Sequence, residues 1–501
     1  MIRPATRCTR LLRDAIVIAA AIGAPLTARA QASMDSSARI ARVTSSLHPA
    51  ALDIEGRPAE LKSLAERMAQ HHVPGVSIAV LDGGRISWAR GFGVKEAGTM
   101  DSVTAVTLFQ AASISKPIAA TATLRLVEQG KLDLDTDVNR YLTSWKVPEN
   151  NFTAREKVTL RRILSHSAGL TVHGFPGYEA GAPIPTLTQV LDGLKPANTE
   201  AVRVETVPGA VGNYSGGGVT IEQLLLTDVT HRSFSDLVRD LVLVPAHMTL
   251  STYEQPLPGA RAGEAAHAHT RSGAPLAGGW HVYPEMAAAG LWTTPSDLLR
   301  WALAIDSARA GKSSVILSKA MAQQMLTEQK DGYGLGPDVA GAGREFRYGH
   351  TGGNEGFISR LIYFPETGQG AAIMTNGNGG AALIPEILRA LATEYHWPAL
   401  APERRTAVTL DSTSIANVLG DYDIDRGRQP LVHARIMRDG SRLMLVATPL
   451  IMQDELVPLS STSFVTANGG LRITVQQDSA GRTTGFTIAQ GKQTVHATRA
   501  R

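Results

Sequence analysis

The chain has 501 residues, 43% of them hydrophobic and 19% charged, with a formal net charge of +4. That composition excludes a disordered or repeat-built chain and leaves room for two or more globular domains. Residues 1–30 carry five Arg and one Asp, so the rest sums to 4 − 4 = 0 and offers no basic stripe for nucleic acid.

Residues 1–30 read as a signal peptide. Arg3, Arg7, Arg10 and Arg13 make a basic start, Ala15 to Ala24 is apolar, and Ala28-Arg29-Ala30 is a small-x-small cleavage site. The apolar stretch is too short to span a bilayer, and no second long one follows. The expectation is an exported protein, periplasmic or secreted, with no membrane span after leader removal. The single cysteine, Cys8, leaves with the leader. The mature chain then has no disulfide, no thiol nucleophile and no Cys-ligated zinc.

Residues 31–57 are polar and mixed, and read as a loose lead-in. Between Glu60 and His71, Leu61, Leu64, Ala65 and Met68 recur at helical spacing until Pro74-Gly75 breaks the pattern. Val76 to Leu81 and Arg85 to Gly93 read as a hairpin turning at Asp82-Gly83-Gly84. A helix laid on an antiparallel hairpin predicts an α+β fold.

Residues 109–130 are the stretch the rest is arranged around. Pro117 fits only near a first helical turn, and Gly130 ends the apolar run that follows. That predicts a buried helix of about four turns, with Ser113 at its N-terminus and Lys116 one turn on. An alcohol beside an amine at the positive end of a helix is a candidate activated nucleophile. His166, in Leu164-Ser-His-Ser-Ala-Gly169, reads as a hydrogen-bonded structural residue rather than a catalytic one.

Gly209 to Gly218 surrounds Asn213-Tyr214-Ser215, and its glycines suggest tight turns close to a ligand. No Lys-Ser/Thr follows them, and Gly311-Lys312-Ser313 has Asp306 where a phosphate loop needs its first glycine. Gln223 to Leu243 reads as helical, and Thr294 or Ser296 as the cap of a helix over Leu298 to Ala304. Tyr333-Gly-Leu-Gly336 reads as strand entry. Ile358–Phe364 and Gly370–Thr375 read as adjacent strands. In His350-Thr351-Gly352-Gly353, small residues would let a substrate lie against a strand edge. Residues 403–501 alternate in short apolar runs and predict a small antiparallel β barrel or sandwich. His71-His72 and His267-Ala268-His269 lack metal-ligand spacing, so neither a metal nor another cofactor is implied. No Gly-x-Ser-x-Gly elbow supports an α/β-hydrolase.

Ser113-Ile-Ser-Lys116, then Tyr214-Ser-Gly216, then His350-Thr-Gly352 is an ordered set. It resembles the serine β-lactamase and penicillin-binding superfamily, in the branch shared by class C β-lactamases, D,D-peptidases and family VIII esterases. The resemblance covers about residues 58–395 and implies a hydrolase domain over 58–400, an antiparallel sheet flanked by helices with a mostly helical subdomain. The C-terminal module over 403–501 resembles the lipocalin-like domain of some members. The resemblance implies Ser113 as nucleophile, Lys116 and Tyr214 as its proton-transfer partners, and an oxyanion hole from the N–H groups of Ser113 and Gly353. His350, Thr351, Gly352 and Gly216 would line the substrate site. Gly216 stands where relatives carry an amide side chain, and His350 where many carry an ammonium. Both departures favour a broad ester or peptide hydrolase over an optimised β-lactamase. A class C-like β-lactamase and a penicillin-binding sensor that stays acylated are the alternatives. The partner expected is a small-molecule or peptide substrate, with the oligomeric state open.

Overall fold

The computed structural model describes residues 26–425, 431–448, 452–468, 470–490 and 493–500. The hydrophobic core of the predicted leader therefore lies outside the described residues. Its end does not: Leu26–Ser45 forms a twenty-residue helix, α1, where a loose lead-in was expected. Val43 buries against the main domain and Arg42 binds Glu394 at 2.6 Å, so tertiary contact supports a helix whose polar sequence gave no periodic signal.

Six strands make the central sheet. They are β1 (Gly75–Asp82), β2 (Arg85–Gly93), β3 (Asp338–Ala340), β4 (Arg347–Asn354), β5 (Phe357–Phe364) and β6 (Gln369–Thr375). Their order is β2-β1-β6-β5-β4-β3, antiparallel throughout. The β1–β2 hairpin forms as the sequence implied, with Gly83 and Gly84 both at positive φ. Both faces of β1 are buried. Ala79 and Leu81 join one core, while Val76, Ile78 and Val80 join the other. The second core lies under α1 and a C-terminal helix, Gly380–Glu394. The first is larger and lies under the helical subdomain.

Within that subdomain, α2 (Ser115–Glu128) is the expected four-turn helix. Pro117 lies in its first turn and Gly130 follows its end at φ +69°. Thr294 caps α5 (Pro295–Arg309), after α3 (Gly216–Thr230) and the short α4 (Met286–Ala289). Tyr333 forms only isolated bridges and no strand. With these in order, the Gly380–Glu394 helix is α6.

The C-terminal module is a closed barrel of eight antiparallel strands between Gly420 and Arg499. Tyr422, Leu445, Phe464, Ile473 and Phe486 fill its interior. Eight strands leave only enough room for side chains to meet across the middle. The barrel docks on residues 50–60. Leu52 packs on Val457, Val465 and Ala467, and Arg57 pairs with Glu455 at 2.7 Å.

Candidate active site

The turn that carries Ser113 is held from three directions. Ala112–Ile114 is a single 3₁₀ turn entering α2, and Ala112 sits at φ +50°, a conformation non-glycine residues rarely adopt. Ser359 of β5 donates to the Ala111 carbonyl at 2.9 Å. Gly352 of β4 lies so close that a Cβ there would meet the same carbonyl oxygen at 2.1 Å. The glycine in His-Thr-Gly is therefore what lets the strand lie against the serine turn.

Two serines compete for notice in Ser-Ile-Ser-Lys, and burial separates them. Ser115 is fully buried; its hydroxyl donates to Ala112 O and accepts from Leu291 N. Ser113 is partly exposed. Lys116 Nζ stands 2.9 Å from Ser113 Oγ and 2.9 Å from the Ala288 carbonyl of α4. The Ser113 side chain also acts on the Tyr214 phenol, whose ring lies 4.9 Å from Lys116 Nζ. Alcohol, amine and phenol thus meet in one place, open to solvent through the alcohol.

The electrostatics assign protons. Burial lowers Lys116 to about 7, against an opposing pull from Glu222. Burial raises the Tyr214 phenol well above its ordinary 10, although the Ser113 side chain works the other way. Near neutral pH the amine can be neutral while the phenol keeps its proton. Such an amine can accept the Ser113 proton while it donates to Ala288 O.

His350 is buried beside this group, its ring 6.1 Å from that of Tyr214. Burial lowers it to about 4, so it is uncharged at neutral pH. Its Nδ1 lies 2.6 Å from the Thr351 carbonyl, which can only accept. Nδ1 therefore carries the proton, and Nε2, which has no partner among the described residues, presents a lone pair. Thr351 is exposed and accepts from Arg360 at 2.8 Å. Gly353 is exposed too.

Gly216 differs from its expected place. It is not in a ligand-hugging turn but opens the buried helix α3, capped by Ser215. A Cβ at 216 would meet the Phe175 ring at 2.9 Å, and one at 217 would meet Val202 at 2.7 Å. The glycines serve close packing, and Phe175 occupies the space a side chain at 216 would need. His166 is hydrogen-bonded, as expected. Its ring stacks 4.2 Å from Tyr214, Nδ1 accepts from Ser215 N at 3.3 Å, and its carbonyl accepts from Asn213 N at 2.6 Å. It holds the loop that carries Tyr214.

Some neighbours escaped the sequence reading. Tyr333 stands 6.1 Å from Tyr214 and 4.8 Å from His166, ring to ring. Glu222 is fully buried in α3, bonded to Thr123 of α2, and raised to about 8 by burial. Neither lies in a motif. Only folding brings them here, so no spacing could have announced them.

The beta-lactamase family model matches residues 62–394. The chain belongs to the beta-lactamase family. Penicillin-binding protein 4 of Amycolatopsis lactamdurans is 27% identical to this family member over 341 residues, 65% of this chain and 86% of that protein. The octameric penicillin-binding protein homologue from Pyrococcus abyssi superposes with a TM-score of 0.59 at 21% identity, covering 87% of this chain and 97% of its own. D-alanine carboxypeptidase AmpC from Burkholderia cenocepacia gives 0.53 at 20% identity, over 72% and 100%. These two structures share the fold.

Proposed function

We propose that this chain is an exported serine hydrolase that cleaves esters or peptides and amides through an acyl-enzyme on Ser113. The supporting observation is the 2.9 Å approach of Lys116 Nζ to Ser113 Oγ, with the Tyr214 ring 4.9 Å from the same amine. Ser113 Oγ bonds to the acyl carbon as its proton passes to Lys116. The tetrahedral centre collapses, the bond to the leaving group breaks, and the proton reaches the departing oxygen or nitrogen through Tyr214. Water then attacks the ester, gives up a proton by the same route, and releases Ser113. Gly353 and Ser113 N–H groups would hold the oxyanion, each donor worth on the order of 3 kcal/mol in the transition state.

The neutral His350 and the Phe175-filled space beside Gly216 argue against recognition tuned to β-lactams. Esters, and peptides ending in D-alanine as the carboxypeptidase relative suggests, are the first substrates to test. A fluorophosphonate probe should label the wild type, and Ser113→Ala should remove the label. Labelling that persists on the variant would refute the assignment. Compared on kcat/KM, p-nitrophenyl butyrate should exceed a chromogenic cephalosporin; a cephalosporin value in the diffusional range would make the enzyme a β-lactamase. Export is checked by the N-terminus of the protein recovered outside the cytoplasm, expected at residue 31.

A further inference from the structure

The outer edge of β4 is only partly covered. The short β3 pairs with Arg347, Tyr348 and Gly349, and its ladder stops there. From His350 to Asn354 the edge has no strand beside it among the described residues. An extended chain laid on this edge would alternate its side chains between the two faces of the sheet. One face, at Gly352, is the face of the serine turn. The other, at Thr351 and Gly353, is the face of α6.

On that second face lies a cleft of about 380 Å³, within the range of small-ligand sites. Ile358, Ala381, Ile384 and Leu388 form its walls, and Gly353 of β4 also lines it. A Cβ at 353 would meet nothing nearer than Ile358 Cδ1 at 3.5 Å, so the glycine leaves the way in open. The one cation on the lining, Arg360, is paired with Asp338 at 2.5 Å and bonded to Thr351. The lining is otherwise apolar or backbone, apart from the hydroxyls of Thr351 and Ser359, and Ser359 donates to Ala111 O. Uncommitted charge to hold a substrate carboxylate is missing from this lining.

Direction along the edge follows from the proton route. The leaving group must meet Tyr214, whose ring neighbours His350. Gly353, whose N–H would hold the oxyanion, is three residues further along the extended strand. The acyl part of the substrate therefore runs toward Gly353 and the cleft.

We propose that the cleft between β4, β5 and α6 is an acyl-side specificity subsite that takes one apolar side chain or alkyl tail of the substrate. This rests on the hydrolase reading above, and the test separates the two. Ala381 is exposed in the first turn of α6, so Ala381→Trp fills the cleft's mouth without touching the core. Pro385→Trp, from another exposed position on the same helix, is the second variant. Inactivation rate constants are measured with an ethyl and an octyl fluorophosphonate, and kcat/KM with p-nitrophenyl acetate and octanoate. The expected result is a loss of about tenfold or more on the octyl probe and the octanoate, and less than about twofold on the short ones. An equal loss on both lengths, or none, overturns the subsite and leaves the hydrolase standing. No labelling of wild-type Ser113 by either probe overturns both.

Discussion

Two antiparallel sheets in this molecule treat their edges oppositely. The C-terminal barrel closes on itself, pairs each strand on both sides and fills its interior with Phe464, Phe486 and Tyr422. The central sheet leaves β4 without a strand beside it past Gly349 among the described residues, and presses that strand, through Gly352, onto the turn of Ser113. A closed barrel has no free N–H groups to offer an extended ligand; an open edge does. The difference puts the candidate site where the sheet is left incomplete, while the complete sheet docks on residues 50–60.

Four experiments break or sharpen that contrast. The largest effect belongs to the amine beside Ser113: Lys116→Ala should lower kcat/KM for p-nitrophenyl butyrate by roughly 10³-fold or more, with the fold intact by circular dichroism. A loss under tenfold would move the proton acceptor elsewhere. Next, Gly352→Val must push β4 away from Ala111 O, so activity should fall by at least about 10²-fold. Near-normal activity would mean the approach of strand to turn is dispensable.

The pH profile comes third. Lys116 is lowered to about 7, so it holds its lone pair above that pH and takes a proton below it. kcat/KM should fall about tenfold per unit on the acid side of pH 7. A profile flat down to pH 5 would contradict the assignment of protons. The smallest effect on catalysis should come from the closed sheet. Phe486→Ala should destabilise the barrel by about 3–5 kcal/mol in urea unfolding yet change kcat/KM less than about twofold. A large catalytic loss would show that the barrel reaches the active site.

Much of the architecture was legible in short-range patterns. The hairpin of β1 and β2 announced itself by alternation around two glycines, and α2 by a proline at one end and a glycine at the other. The barrel was legible as alternating runs, but Met452–Pro458 and Gly420–Asp425 were not read as strands. Their acidic residues are depleted in strands generally, and only closure of the barrel forces them to pair. Gly216–Gly218 misled in the opposite sense. Three glycines favour a loop by propensity, yet close contact with Phe175 and Val202 makes them the first turn of α3. Helix α1 gave no signal because its support comes from residues some 350 positions away.

What the sequence by itself determined is the inventory: an alcohol and an amine one helical turn apart, a phenol and a His-Thr-Gly strand in a set order, and a β-rich C-terminal module. Local geometry suffices for these, because a turn of helix or an alternating strand is decided by residues within a few positions. Only the tertiary structure decided which serine is open, that burial lowers Lys116, which nitrogen of His350 carries its proton, and that a cleft lies behind Gly353. Each of these depends on desolvation or contact between residues far apart in the chain, quantities that exist only once the chain has closed around them.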